Sequence, residues 1–178
     1  MDWAALLEDL DRALEQLSGA TGSDASTWDH GRRGGWTVGQ HTAHVGICLA
    51  RTAALFEEAV RALRSAALPP PPAKRDFLQS LWVRMVVRHG FMPRGGRTAP
   101  WAVPPERSSR AEGLEALRGG AARHRRLGDR LGASERERVW IVNPFMARWH
   151  YSLPEMVRVH AVHARHHAKQ VVEIVARG

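Results

Sequence analysis

Ten histidines are spread unevenly over 178 residues, and four of them, His160, His163, His166 and His167, fall within eight positions of "VRVHAVHARHHAKQVVEIV". That run has no Pro or Gly and reads as a helix. At about 100° per residue, positions 160, 163 and 167 share one stripe, and 170, Val171 and Ile174 continue it. The apolar neighbours make this stripe at least partly the buried face. His163 and His167 then form an inward i, i+4 pair, a spacing at which two imidazoles reach one ion, as in helical zinc motifs. His166 is turned away from that face. A bare His-x-x-x-His also fits polar surface or hydrogen-bonded core histidines, so a second source of ligands is needed.

The segment "WTVGQHTAHVG" supplies one, with His41 and His44 at i, i+3 near the start of another helix. A closed structural zinc site usually has four ligands and often cysteine. The only cysteine here is Cys48, which excludes an intramolecular disulfide and a cysteine-based zinc knuckle. Three histidines with open coordination positions suit a catalytic ion, because water or substrate must also bind. His41 is a further candidate, as a ligand or as the outer partner of one. His160, one turn before His163, is a candidate outer partner or general base, and Gln170 a candidate contact for metal water or a packing residue. Cys48, four residues after His44, reads first as a core thiol, and Trp36 as a packing anchor. His30, His89, His124 and His150 have no partner spacing and read as surface or packing residues. Zinc proteases carry a Glu inside His-Glu-x-x-His as general base. Ala164 occupies that place here, so peptide hydrolysis by that route does not fit.

These side chains need a scaffold. "DWAALLEDLDRALEQL" spaces Leu6, Leu7, Leu10, Leu14 and Leu17 helically behind a candidate N-cap, Asp2. Thr37 and Gln40 have capping-box spacing, and a helix is expected over about 38–65, ended by the prolines at 69–72. A third helix is expected in "DFLQSLWVRMVVRHG", with Leu78, Leu81, Trp82, Met85 and Val86 on one side. Residues 90–108 are rich in Pro and Gly and read as a long surface loop that shapes substrate access. Ser109 and Glu112 open a fourth helix with a weaker stripe, which Gly119–Gly120 is expected to interrupt. The segment 135–151 reads as loop with a short extended piece. Ser152, Pro154 and Glu155 start the last helix. The expected fold is all-α: an antiparallel four-helix bundle with an extra short helix and long loops, one domain over 1–178.

Composition narrows the function classes. No apolar run reaches the length of a membrane span, and the acidic, amphipathic start does not resemble a signal peptide, so a cytoplasmic protein without a membrane partner is expected. Net charge is +8, carried almost wholly by arginine; Lys74 and Lys169 are the only lysines. The densest basic spot is "RHRR" at 123–126, and no recognisable nucleic-acid motif accompanies it. A basic protein that binds nucleic acid, with structural histidines, is the alternative from a different class. It predicts binding that weakens steeply with salt.

"GGWTVGQHTAHVG" together with "HAVHARHHAKQVVEI" resembles the DinB-like superfamily, also called the YfiT family, in a sub-branch of unknown function. Trp36 and Thr37 match the start of its first motif, and His44 the first metal-ligand position. His163 and His167 match the other two ligands and Gln170 the motif glutamine. Ala168–Lys169 departs from the family's Arg-Gly. The resemblance implies a four-helix bundle holding a divalent ion, most often zinc or nickel, on His44, His163 and His167. It further implies a small-molecule substrate and chemistry with a low-molecular-weight thiol, as in thiol-dependent transferases and a maleylpyruvate isomerase, ranked above hydrolysis. A homodimer is left open.

Overall fold

The computed structural model describes residues 1–22, 24–31, 34–72, 74–95 and 97–177. Four long helices build it: α1 (Trp3–Ala20), α2 (Val38–Arg64), α4 (Arg110–Asp129) and α6 (Leu153–Val175), with short α3 (Phe77–Val83) and α5 (Ala133–Arg138) between them. Their starts follow local chemistry. The Asp2 carboxylate caps α1, and capping boxes Thr37/Gln40, Ser109/Glu112 and Ser152/Glu155 open α2, α4 and α6.

Around the bundle α1 packs on α6, α6 on α2, α2 on α4, and α4 on α1. Directions follow from the paired residues. On α2 and α6, His41 meets His167 and Thr52 meets His160, so these two helices are antiparallel. On α1 and α4, Trp3 meets Asp129 and Asp11 meets Arg125, which is again antiparallel. By contrast, Gly46 lies against Ala116, Leu49 against Gly120, and Thr52 against His124, so α2 and α4 run in the same direction. The long connection from 65 to 109, which carries α3, returns the chain to the first end and permits this parallel pair.

Gly120 does not interrupt α4. The helix is continuous, and a Cβ on Gly120 would lie 2.5 Å from the Leu49 Cβ, so the missing side chain lets α4 approach α2 closely. The third helix also differs from its periodic reading. After Val83 the backbone makes a π-helical turn over Arg84–Arg88. The inward face is set by Gln79, Trp82 and Val83, with Gln79 donating to the His150 carbonyl. Val86 is buried, while Leu78 and Leu81 are exposed. Residues 133–152 form α5 and a two-stranded antiparallel hairpin, β1 (Trp140–Val142) and β2 (His150–Ser152), with Ile141 opposite Tyr151. Both of those residues are buried in the core, which also holds Leu10, Leu17, Val45, Leu49, Phe56 and Val157. No helix is long and apolar enough to cross a membrane.

The rotation of α6 about its axis is fixed from both sides. Arg158 and Arg165, seven residues apart, both reach Asp9 on α1, Arg165 at 2.5 Å. That commits one stripe to α1 and leaves 160, 163 and 167 to face α2.

Candidate metal centre

His44 projects from the second turn of α2, and His163 and His167 from successive turns of α6. Their ligand nitrogens all lie within 4.8 Å of one another. His163 Nε2 is 2.9 Å from His167 Nε2 and 3.2 Å from His44 Nε2, so three Nε2 atoms converge. His44 and His167 are buried, while His163 is partly exposed and forms the open edge.

The opposite ring nitrogens are held from behind. His44 Nδ1 is 2.7 Å from the Ala102 carbonyl, and a carbonyl can only accept, so His44 carries its proton on Nδ1 and leaves Nε2 bare. Ala102 is buried in a 3₁₀ turn, Pro100–Ala102, within the loop that the composition marks as surface. His167 Nδ1 lies 2.8 Å from His41 Nδ1. The Trp36 ring walls the cluster, 4.8 Å centroid to centroid from His44 and stacked at 6.2 Å on His167. Trp36 is therefore a packing residue set directly against these rings.

Burial keeps the rings neutral. It pushes His163 down to about 3, helped by His44 and His166, and His167 well below 6.5, helped by its histidine neighbours. His44 is lowered by burial too, against the opposing pull of the Ala102 carbonyl. Neutral imidazoles are the metal-binding form. They cannot satisfy one another here. His44 Nε2 is bare, and one proton on His163 Nε2 serves either His44 or His167 in good geometry but not both. Any neutral arrangement leaves a short nitrogen–nitrogen contact without a hydrogen bond. A divalent cation between the three Nε2 atoms would accept all three lone pairs, so the donor set fits a metal ion.

Among the described residues the cluster contains no carboxylate and no thiolate. Cys48 Sγ is 3.7 Å from His44 Nε2 but lies outside the set of converging atoms. Burial pushes its thiol up to about 12. His166 is half-buried on the adjoining face, and Gln170 is half-buried three residues beyond His167.

His160 belongs to a separate layer deeper in the bundle. Its Nε2 is 2.7 Å from Thr52 Oγ1, which is also 3.3 Å from His124 Nε2, and His124 Nδ1 is 3.0 Å from the Gly120 carbonyl. That carbonyl fixes the His124 proton on Nδ1. The Thr52 oxygen accepts from the Nε2–H of His160, and its single hydroxyl proton is shared between His124 Nε2 at 3.3 Å and the Cys48 carbonyl at 3.0 Å. His124 and His150, expected as surface or packing residues, are both buried. Sequence spacing misses Thr52 and the Ala102 carbonyl: a threonine on a helix face is unremarked, and a main-chain acceptor leaves no side-chain signal.

Two cavities, of about 420 and 250 Å³, lie elsewhere. The first is bounded by Arg75, Trp140, His150 and Glu155, the second by Leu78, Phe145, Met146 and Trp149, and neither touches the converging histidines.

No family model and no curated protein matches the chain. Among solved structures it matches YfiT from Bacillus subtilis, described as a probable metal-dependent hydrolase with an unusual four-helix bundle topology. The match has a TM-score of 0.63 and 18% identity, covering 98% of this chain and 86% of that one. The chain thus has the YfiT-type four-helix bundle fold.

Proposed function

We propose that this chain is a metal-dependent enzyme of the DinB-like, YfiT-type group, holding one divalent ion on His44, His163 and His167. The observation that carries the reading is the convergence of three neutral, largely buried Nε2 atoms whose lone pairs have no common partner among the described residues. A bound divalent ion supplies Lewis acidity, lowering the pKa of a coordinated water or thiol. The residues do the rest. His44 and His167 are oriented from behind, Trp36 shields one side, and the partly exposed edge at His163 is the side from which a small molecule would approach.

Thiol-dependent transfer or isomerisation ranks above hydrolysis in this proposal. A thiol brought by a small cofactor needs no protein base once deprotonated. The converging set offers no carboxylate to act as one, and His160, the base candidate from the sequence, has its Nε2 engaged by Thr52. Zinc and nickel are the first ions to test, since an all-imidazole set suits both. Hydrolysis is the second reading, favoured by the description of YfiT. The basic-protein alternative still has the +8 charge, but within the 123–126 run Arg123 pairs with Glu57, Arg125 with Asp11, and His124 is buried, which supports it less.

The test is a panel of assays on untagged, metal-loaded protein. Low-molecular-weight thiols are paired with electrophiles, and esters and amides are run without thiol. Thiol-dependent turnover that disappears in His163→Ala is expected. Ester or amide turnover without thiol, lost in the same variant, would reverse the ranking.

A further inference from the structure

We infer that His41 is a positioning residue for the metal centre, an imidazole that fixes the tautomer and direction of His167 and tightens its hold on the ion. The inference rests on the reading of His44, His163 and His167 as ligands. It concerns how one of them is held.

His41 and His167 meet through their Nδ1 atoms at 2.8 Å, a hydrogen-bond distance that requires one proton between the two nitrogens. His167 Nε2 points into the converging set. A ring that gives Nε2 to a cation must carry its proton on Nδ1, so His167 is the donor and His41 Nδ1 the acceptor. His41 must then keep its own proton on Nε2. The metal-loaded protein therefore has a defined pair of tautomers, Nδ1–H on His167 and Nε2–H on His41.

The outer partners of the two buried ligands differ in chemistry. His44 donates to a main-chain carbonyl, a weak base. His167 donates to an imidazole nitrogen, a far stronger base, which draws the shared proton further and leaves His167 Nε2 richer in electrons. Outer partners of this kind orient metal-bound histidines, raise their basicity, and alter metal affinity by roughly 10–100-fold when removed. His41 is itself buried and packed edge-on against Trp36, with ring centroids 5.5 Å apart, so its direction is not left to solvent. It is thus built as a fixed acceptor, one turn before the ligand on its own helix and facing the ligand on the other.

Zinc affinity, measured by competition with a chromophoric chelator, tests the role. His41→Phe keeps the ring volume and removes the acceptor, and zinc binding should weaken about 10–100-fold. His41→Asn places an amide oxygen near the Nδ1 position and should recover most of the loss. Melting of both variants in excess chelator separates positioning from folding, since a positioning role leaves the metal-free melting point little changed. Nitrogen NMR of the zinc-loaded wild type reads the tautomers directly and holds even if a variant does not fold. Wild-type zinc affinity in His41→Phe, or a proton on His41 Nδ1 in the zinc-loaded protein, would overturn the inference. Absence of zinc binding by the wild type would overturn the metal reading itself, and this inference with it.

Discussion

Two layers of histidine lie in the bundle, and they dispose of their lone pairs differently. In the outer layer His44, His163 and His167 turn three Nε2 atoms toward one another. In the inner layer the Thr52 hydroxyl stands between His124 and His160, within hydrogen-bond reach of both, and the Cys48 carbonyl is a further acceptor for its proton. Both layers are built from neutral imidazoles, the outer one on α2 and α6, the inner one on α4 and α6 with the Thr52 hydroxyl from α2. The inner one is closed by the protein, apart from His160 Nδ1, which is buried without a partner. The outer one, on the proposed reading, would be closed by a cation. Histidine content and burial do not by themselves distinguish a metal centre from a structural cluster. What differs between the layers is the donors and acceptors around each ring.

The largest expected effect separates the layers by metal. His163→Ala should abolish tight zinc or nickel binding. It should also remove the stabilisation expected from a thousandfold excess of free metal over its dissociation constant, about 4 kcal/mol. His166→Ala, on the adjoining face, should retain both. Thermal melts with and without metal check this, and an equal loss in the two variants would mean that the wrong face of α6 has been assigned.

Acid should then act on the inner layer. Burial lowers His124 from 6.5 to about 4, so the unfolded chain takes up this proton first. The stability that the neutral ring contributes is complete above pH 6.5 and is lost as pH falls toward 4. The amount is roughly 3 kcal/mol. Urea unfolding in excess chelator across this range should show a shallower pH slope for His124→Gln than for the wild type. Equal slopes would remove His124 from the account.

A smaller effect is expected from Thr52→Val, which keeps the shape but strands two buried nitrogens. It should cost about 2 kcal/mol in the metal-free protein. Metal stoichiometry should stay at that of the wild type. A drop in stoichiometry would join the two layers into one unit and dissolve the comparison.

The sequence makes the outer layer far easier to see than the inner one. His163 and His167 share a face because of their spacing within one helix, and the Thr37/Gln40 capping box fixes where α2 begins and hence where His44 projects. Those are local properties. His124 meets Thr52 only because α4 lies parallel to α2 at glycine distance, and that register is tertiary. Gly119–Gly120 reads as a break for the same reason: low helix propensity is visible in a sequence, while the close approach it permits is not. In the third helix the buried residue is the polar Gln79, bound to the His150 carbonyl, so an apolar stripe points the periodic reading to the wrong face.

The bond from His44 to Ala102 also bears on how such a protein can change over generations. The acceptor is main chain, so an exposed side chain such as Val103 can be exchanged without removing the bond that holds this ring, whereas the buried Ala102 leaves little room for a larger one. Loop length is another matter, since an inserted or deleted residue would carry the carbonyl away from the imidazole. The loop can thus vary at its exposed positions while the ring beneath it stays where it is.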